Sequence, residues 1–526
     1  MIDGAMQTHS LTLNRFLEHA AKWHPHSGVA TGGENGTFAS YADILVRAHK
    51  VSAVLRDRGT SAGSRVATLA WNTQHHVEVW YGVMGMGAVC HTLNPRLTVE
   101  QLADMVVQSE AEILVTSEDL LPMARQIVAA APALAHLLVI DGGIDDGGDD
   151  SAQVLETLLR DAGSGVIWGE FPETMPSGLC FTSGSTGAPK GVMYSHRSGF
   201  MHTMRLLQAD MAALRAGDVV LPVVPMFHAN AWGFPFAAPA VGARLAMPGR
   251  RTDGASLARL IVREGVTVAI GVPTVWLDLC DHVETTGIAL TTLERITVGG
   301  ASIAPALLER IERTLGVTVQ TSWGMTEMSP VGVFAPPADP DRRAEVSGRP
   351  AIGVDLMLAD AAGHPLPEQR NCEGHLHVRG WSVVDRYFGN EASACGPGGW
   401  FDTGDLAQID DGGNLTITGR AKDLIKSGGE WINPAEIETV VGCLPAVSIA
   451  AVIGRSHIKW GERPLLLVEL REGQSVSDQD ILGALKGRVA SWWIPDAVVR
   501  VAAMPLASTG KIDKPRLRSL YGSAVG

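Results

Sequence analysis

Along most of the chain, short apolar runs typical of strands alternate with segments whose apolar residues have the period of a helix. Residues 64–70 (SRVATLA) form a short apolar run that predicts a strand, and residues 72–88 after it have the period of a helix. The same alternation returns at residues 218–225, 266–273 and 295–301. Because repeated strand and helix units pack as layers, the pattern predicts a large α/β body with two sheets.

The pattern of apolar and polar residues changes after about residue 346. Short strand-like segments separated by turn residues follow, among them GHLHVRG and GNLTITGR, which predict a small β-rich subdomain. The charged segment that begins at Arg420 then leads into about a hundred residues of α+β character. We therefore predict a large N-terminal domain over residues 1–421 and a small C-terminal domain over residues 422–526.

Composition and charge narrow the classes of function. A chain of 526 residues, 46% hydrophobic and 19% charged, is an ordinary globular protein of two or more domains. The net charge of −14 gives no broad basic surface for nucleic acid. Six scattered cysteines without CxxC pairs argue against zinc and disulfide frameworks. No signal peptide or membrane-spanning run is visible, so we expect a cytoplasmic protein.

The first chemical motif is the loop FTSGSTGAPKGV at residues 181–192. Its glycines and hydroxyls can surround an anion, and Lys190 adds a positive charge. The P-loop pattern GxxxxGK[ST] does not fit, because Pro189 precedes the lysine and Gly191 follows it. A flexible connector is the alternative, but a connector is rarely bounded by an apolar strand and one lysine. The loop predicts a phosphate cradle of another kind.

This loop and the motifs that follow resemble those of the adenylate-forming acyl-CoA synthetases. The resemblance extends from about residue 10 to about residue 515, and local details (MFHANAWG and KSGGEWI) are most similar to bacterial medium- and long-chain fatty-acid CoA ligases. In that family the loop holds the β- and γ-phosphates of ATP. The matching positions are Thr182, Ser183, Gly184, Ser185, Thr186, Gly187 and Lys190.

Two further motifs match the nucleotide site of the family. In TSWGMTE, the resemblance places Trp323 against adenine, Thr326 at the α-phosphate or the acid, and Glu327 on Mg²⁺, which a carboxylate suits. In VGGAS, the bare backbone would pass under adenine and the acyl chain. Each motif by itself could be an ordinary turn. The remaining matched positions are Gly324 and Met325, Gly300 and Ala301 for the nucleotide, and Gly299 for the acyl chain.

Charged motifs near the domain boundary match the ribose site and the hinge. Asp405 corresponds to a carboxylate that accepts both ribose hydroxyls, a task that suits an ionised group with several lone pairs. Arg420 corresponds to an arginine that reaches ribose and phosphate, and Lys422 to the hinge of the C-terminal domain. Without the other motifs, the segment around Asp405 would indicate a β-turn. The charged segment with Arg420 and Lys422 would indicate a solvent-exposed face.

The C-terminal region supplies the last matches. Lys511, on a glycine-containing loop, corresponds to the lysine that bridges the acid and the α-phosphate during adenylation. Gly428 and Gly429 would leave room for the pantetheine arm of CoA after the C-terminal domain swings about the hinge, and Trp431 follows on the same CoA-facing segment. Without the resemblance, a lysine near a chain end would be an ordinary surface charge.

The acyl pocket is the least specific prediction. Phe227 and His228 border this pocket in the family, and Trp232 and Gly233 continue an apolar run that suits an alkyl chain. A buried core helix would show the same pattern, so both interpretations stay open.

Together these motifs imply an enzyme that joins an acid to CoA with ATP and Mg²⁺, through an acyl-adenylate. A medium- or long-chain fatty acid is the leading substrate; a short thioether acid such as methylmercaptopropionate, or an aryl acid, is the alternative. A second hypothesis shares the adenylation step but passes the acyl group to a carrier protein, or to oxygen chemistry as in luciferase. A nucleotide-binding sensor without turnover is a third hypothesis, from another class of function. The expected partners are small molecules, and the resemblance leaves both a monomer and a homodimer open.

Overall fold

The computed structural model describes residues 6–33, 36–142, 152–163, 165–182, 189–339, 342–428, 430–507 and 510–523. Its helices are α1 (Asn14–Trp23), α2 (Tyr41–Arg56), α3 (Gln74–Gly85), α4 (Val99–Ser109), α5 (Leu121–Ala130), α6 (Leu155–Asp161), α7 (His196–Leu206), α8 (Phe234–Val241), α9 (Gly254–Glu264), α10 (Pro273–Thr286), α11 (Pro305–Leu315), α12 (Pro434–Gly442), α13 (Asp478–Ala484) and α14 (Lys514–Tyr521).

The strands, given in chain order, are β1 (Gly28–Thr31), β2 (Thr37–Ser40), β3 (Arg65–Leu69), β4 (Val89–Thr92), β5 (Ile113–Ser117), β6 (His136–Ile140), β7 (Ala152–Val154), β8 (Pro176–Thr182), β9 (Lys190–Ser195), β10 (Val219–Pro222), β11 (Arg244–Met247), β12 (Val268–Gly271), β13 (Arg295–Val298), β14 (Thr318–Gly324), β15 (Val331–Phe334), β16 (Val346–Pro350), β17 (Val354–Ala359), β18 (Glu373–Gly380), β19 (Phe401–Ile409), β20 (Leu415–Arg420), β21 (Ile425–Ser427), β22 (Glu430–Ile432), β23 (Val447–His457), β24 (Gly461–Leu470) and β25 (Val498–Arg500).

Several helices begin where the sequence supplies a capping side chain. The Ser40 hydroxyl oxygen accepts a hydrogen bond from the Asp43 amide, and the Ser40 amide donates to the Asp43 carboxylate. Thr98 and Gln101 repeat this arrangement at α4. Such reciprocal caps satisfy amides that have no partner within the helix. Helices α2 and α4 therefore begin directly after residues that favour a helix start.

A seven-stranded sheet has at one edge the two strands that contain the described ends of the glycine-rich motif. Its order is β7-β6-β5-β3-β4-β8-β9, and the pairs are parallel except for β8 with β9, which are antiparallel. The buried strands of this sheet are apolar, as in sheets covered by helices on both faces.

The second sheet has more strands than the hydrophobic pattern predicts. Its order is β17-β18-β19-β20-β16-β15-β14-β13-β12-β10-β11-β1-β2. Strands β1 and β10–β14 pair in parallel, whereas pairing from β14 through β15 onward is antiparallel. The predicted β-rich subdomain therefore continues the α/β sheet edge to edge through β15 and β16. This arrangement confirms the predicted α/β class with a large N-terminal part and a smaller C-terminal part.

The helices between the two large sheets pack against each other. Trp80 of α3 is fully buried and stacks on Phe236 of α8 with ring centroids 5.8 Å apart, and the Tyr81 hydroxyl donates to the Pro235 carbonyl at 3.0 Å. Burying aromatic rings of this size contributes about 2 kcal/mol or more each. This packing fixes the orientation of the sheets whose ends form the site.

The third sheet contains only strands from Ile425 onward. Its path is β22-β21-β24-β23, with β25 paired to β24. The domain boundary at Lys422 precedes its first strand and stays a prediction. The six cysteines are free thiols, and among the described residues no helix is long and apolar enough to cross a bilayer.

Candidate active site

The candidate site lies where several strands end. The parallel strands β12, β13 and β14 end at Gly271, Val298 and Gly324, and their carboxyl ends lie at one edge of the sheet. Open parallel sheets bind ligands at this edge. The residues after these strands include the VGGAS motif and the last part of TSWGMTE.

Asp405 contacts two other predicted nucleotide residues. It is buried, its Oδ1 lies 2.7 Å from the Arg420 Nε, and its Oδ2 accepts a hydrogen bond from the Trp323 indole at 3.0 Å. Burial raises the pKa of Asp405, while Arg420, Trp323 and Lys511 act in the opposite direction. Each carboxylate oxygen keeps a lone pair for a ligand.

Trp323 has a structural role in addition to the predicted contact with adenine. Its side chain is buried in the apolar cluster of the β-rich region, together with Met328, Val333 and Phe401. The indole therefore anchors Asp405 from within the core.

Glu327 is a buried carboxylate in the loop between β14 and β15. The Tyr387 hydroxyl donates to its Oε1 at 2.9 Å, and the Val384 amide donates to its carbonyl at 2.7 Å. Within the described part of the chain, Glu327 forms no ion pair. A buried acid without a basic partner is costly unless a cation neutralises it, so this carboxylate fits the hard metal ion that the resemblance implies.

The backbone of that loop is held by side chains from distant elements. Tyr194 donates to the Thr326 carbonyl at 2.9 Å. The buried Arg205 of α7 donates to the carbonyls of Met328 at 3.1 Å and Val331 at 2.5 Å. Burial lowers the pKa of Arg205 to about 10, which leaves it charged at neutral pH.

Lys190 and Thr182 lie on either side of the central residues of the glycine-rich motif. They are paired residues of β9 and β8, and Lys190 places its Nζ 4.8 Å from the centroid of the Tyr387 ring. Ser183, Gly184, Ser185, Thr186 and Gly187, predicted in the same cradle, lie outside the described residues.

Lys511 is the one predicted site residue that comes from the end of the chain. A Cβ placed on Gly300 would lie 3.5 Å from the Lys511 Cε, so the lysine reaches the VGGAS segment. Burial and the nearby Arg420 lower the pKa of Lys511, while Asp405 and Glu327 act to raise it. The structure thus brings the lysine within electrostatic range of both predicted carboxylates.

The Lys511 loop meets α10 at a glycine. Gly510 has φ +80°, and a Cβ there would lie 3.1 Å from Val272 Cγ2. Both the backbone conformation and the space favour glycine at this point. The close approach lets the C-terminal loop enter the site.

The predicted acyl pocket contains an unusual backbone turn. Ala229, Asn230, Ala231 and Trp232 have φ between 44° and 55°, and Gly233 continues at 82°. Left-handed turns of residues other than glycine cost about 1–2 kcal/mol per residue. Strain of this kind persists where the surroundings hold it, and it concentrates at functional sites.

This turn directs Trp232 onto the two glycines of VGGAS. A Cβ on Gly299 would lie 3.0 Å from Trp232 Cη2, and one on Gly300 would lie 3.5 Å from Cζ2. Trp232 and Phe227 are buried, and burial together with Lys511 lowers the pKa of His228 to about 4. The charge of Arg96 also acts to lower the pKa of His228, whereas the Trp232 indole presents an apolar surface to Gly299 and Gly300.

The residues predicted for CoA make their described contacts inside the third sheet. Gly428 has φ +61°, and its amide donates to the Trp460 carbonyl at 2.8 Å. Trp431 is 53% exposed and has the Lys426 Nζ 5.5 Å from its ring. Gly429 lies outside the described residues. Their CoA role stays a prediction.

Sequence reasoning missed several residues that shape the site. Tyr387, Tyr194 and Arg205 occur outside the matched motifs, and no hydrophobic period or charge run marks them. Their partners are distant along the chain, so only the folded arrangement identifies them.

Comparison with known proteins agrees with this geometry. Residues 17–388 match the AMP-binding enzyme family, and residues 436–511 match its AMP-binding enzyme C-terminal domain. The chain is 39% identical to the medium-chain-fatty-acid–CoA ligase of Ectopseudomonas oleovorans, over 99% of this chain and 98% of that protein. It is 37% identical to the 3-methylmercaptopropionyl-CoA ligase of Ruegeria lacuscaerulensis, over 99% of each.

Among solved structures, the crystal structure of the anthranilate CoA ligase AuaEII in complex with anthranoyl-AMP superposes with a TM-score of 0.89. The match covers 99% of both chains at 23% sequence identity, which supports the fold alone. The two family matches and the relatives agree over nearly the whole chain. It belongs to the AMP-binding enzyme family and, within that family, to the acyl-CoA synthetases.

Proposed function

We propose that this acyl-CoA synthetase activates a medium- or long-chain fatty acid with ATP, and transfers the acyl group from the adenylate to CoA. The observation that carries the proposal is that Lys511 interacts electrostatically with Glu327 and Asp405 and meets the apolar Trp232 indole at Gly300. An apolar wall suits an alkyl chain, and the polar groups suit the reacting carboxylate and the nucleotide.

In the first half-reaction the acid attacks the α-phosphate, and pyrophosphate leaves. The two reacting groups are both negative, so the site has to neutralise them before they approach. Lys511 supplies an ammonium from one side, and we assign it to the acid and the α-phosphate. Thr326, in the loop held by Tyr194 and Arg205, is assigned to hydrogen bonding at the same phosphate.

Glu327 would hold Mg²⁺, which lowers the repulsion between the phosphates and the incoming carboxylate when bound. Lys190 and the glycine-rich segment would receive the charge of the leaving pyrophosphate. Asp405, held by Arg420 and Trp323, would accept the ribose hydroxyls. Fixing these groups in one orientation supplies much of the acceleration.

In the second half-reaction the thiol of CoA attacks the acyl-adenylate, and AMP leaves. Lys511 occupies the site in the arrangement described here, so we assign this arrangement to adenylation. Rotation at Lys422 would withdraw the lysine and present Gly428, Gly429 and Trp431 to CoA.

The substrate test is one pooled competition with purified protein, Mg²⁺, ATP and CoA. Straight-chain, thioether-containing and aromatic acids compete, and mass spectrometry ranks the acyl-CoA products. Medium or long straight-chain products support the proposal. A dominant thioether product would assign the chain to the chemistry named for the Ruegeria relative, and adenylates without thioester would indicate another acceptor, such as a carrier protein.

Trp232→Ala examines the pocket within the same competition. Removing the indole opens space beside Gly299, so we expect the ranking to shift toward longer or bulkier acids. Phe236→Leu is the matched control, because Phe236 packs on Trp80 and Tyr81 in the core. An unchanged ranking for Trp232→Ala would make the tryptophan a core residue only.

A further inference from the structure

A short segment connects the two halves of the phosphate site. We name residues 384–388 the strap. At one end, the Val384 amide donates to the Glu327 carbonyl at 2.7 Å; at the other, the Phe388 amide donates to the Gly191 carbonyl at 2.7 Å. The first contact is with the loop between β14 and β15, and the second is with β9 of the other large sheet.

The side chain of Tyr387 repeats this connection. Its hydroxyl donates to the Glu327 Oε1 at 2.9 Å, and its ring lies 4.8 Å from the Lys190 Nζ. The ring also meets Phe401 edge to face, with centroids 6.4 Å apart. One partly buried side chain thus contacts the predicted metal carboxylate and the predicted phosphate lysine while packing on the β-rich region.

These contacts have different chemical consequences. The hydrogen bond from the Tyr387 hydroxyl to Oε1 restricts rotation of the Glu327 carboxylate. The second oxygen, Oε2, is therefore held in one orientation. The aromatic face attracts the ammonium of Lys190 without neutralising it, so the lysine keeps its full charge for a phosphate. The strap is held at both ends by backbone hydrogen bonds, which fixes the position of the ring.

We propose that Tyr387 is a positioning residue that sets the distance and orientation between Glu327 and Lys190 for binding of Mg²⁺ and ATP. The inference rests on the proposed function and deepens it. Tyr387 acts through its hydroxyl toward the metal carboxylate and through its ring toward the lysine. These two effects are separable by substitution.

Tyr387→Phe removes the hydroxyl and keeps the ring, whereas Tyr387→Leu removes both. Nucleotide affinity is measured by calorimetry on the full chain without acid, so no turnover occurs, once with Mg²⁺ and once in a metal chelator. Melting temperatures show that each variant is folded. For Tyr387→Phe we expect a roughly tenfold loss of the affinity gain that Mg²⁺ provides, because a hydrogen bond to a charged group is removed.

For the same variant we expect the affinity for metal-free ATP to stay within about twofold of that of the unmodified protein. Tyr387→Leu should weaken metal-free ATP binding severalfold as well, because Lys190 loses its aromatic partner. An unchanged response of Tyr387→Phe to Mg²⁺ would overturn the proposal. So would equal losses with and without the metal, which would indicate a general effect on the fold.

Glu327→Gln provides the coupling test. If Tyr387 acts through this carboxylate, Tyr387→Phe in the Glu327→Gln background should add less than about a twofold loss to Mg²⁺-dependent binding. Additive losses would contradict the proposed route. Failure of the unmodified protein to bind ATP at all would instead refute the proposed function, so the two failures are distinguishable.

Discussion

At the residue scale, we propose that adenylation depends on the charge balance around Lys511. The ammonium lies near the positive charge of Arg420 and the negative charges of Asp405 and Glu327, and burial acts to lower its pKa. A flexible surface lysine would have no such environment. The position of Lys511 is therefore consistent with a group that stabilises negative charge in a transition state.

Lys511→Ala should reduce the rate of acyl-adenylate formation by about a hundredfold or more, because a charged donor at the reacting phosphate is lost. Thioester formation from supplied acyl-adenylate should persist. Adenylation is measured by exchange of labelled pyrophosphate into ATP, and the second step by release of AMP from the adenylate. Lys486→Ala, an exposed lysine of the same domain, is the control. Equal loss in both steps would remove the assigned role.

At the scale of single elements, the start of α12 is tied to the strand that precedes the hinge. The Asn433 Nδ2 donates to the Thr418 carbonyl of β20 at 2.7 Å, and its Oδ1 accepts from the Ala435 amide at 3.2 Å. The side chain is buried. One amide group thus caps the helix and also connects the two sides of Lys422.

Asn433→Asp keeps the capping oxygen and replaces the donor with an acceptor that faces the Thr418 carbonyl. We expect adenylation to fall about fivefold or more relative to thioester formation, because the arrangement that carries Lys511 into the site loses a hydrogen bond. Asn433→Ser, which keeps a helix cap, reports the effect of losing the donor without added charge. The measurement is the ratio of the two half-reaction rates. Parallel losses in both steps would mean that Asn433 only stabilises the fold.

A second contact between elements joins α3 to α6 and to the residue that directly follows β6. The His75 Nδ1 lies 2.6 Å from Asp141, and its Nε2 lies 3.6 Å from Glu156. Burial acts to lower the pKa of His75, but the hydrogen bond and charge of Asp141 outweigh it, and the pKa is raised. The protonated form is therefore favoured in the folded protein.

The stabilisation from His75 should be present below its unfolded pKa of about 6.5 and lost as the pH rises through the higher folded value. His75→Gln should lower the unfolding free energy by about 1 kcal/mol at pH 6 and by less at pH 8. Urea unfolding at both pH values measures this difference, with the exposed His26→Gln as the control. A loss that is the same at both pH values would contradict an ionic role.

At the scale of the whole molecule, one set of contacts joins the C-terminal region to the large domain, and a second set is internal to the C-terminal region. Gly510 and Lys511 approach Val272 and Gly300 of the large domain. On its own side of the predicted hinge, Asp423 forms an ion pair with Arg518 of α14 at 2.7 Å, and Lys514 pairs with the Glu438 carboxylate at 2.8 Å. The second set would move with the C-terminal domain as one body.

Lys422→Pro should stop the domain rotation because proline fixes the φ angle at the hinge. We expect adenylation to be largely retained and thioester formation to fall by about a hundredfold, since CoA attack needs the other arrangement. Lys422→Ala is the matched control, because it removes the same side chain and leaves the backbone free. Normal turnover by the proline variant would place the hinge elsewhere.

The sequence alone was sufficient for features that depend on neighbouring residues or on a matched motif. The alternation of strand and helix predicted the α/β class, because burial of one face imposes a period on nearby positions. Asp405, Glu327 and Lys511 were identified from motifs, and the fold brings them together. The phosphate cradle was predicted likewise, although its central residues lie outside those described.

Only the tertiary structure decided how distant segments meet. The β-rich region was expected to stand apart, but antiparallel pairing through β15 and β16 joins it to the large sheet. The left-handed turn at Ala229–Trp232 and the contact of Tyr387 with Glu327 left no periodic signal. The physical reason is that periodicity records burial along one element, whereas side-chain partners and backbone strain depend on elements that come together only in the folded chain.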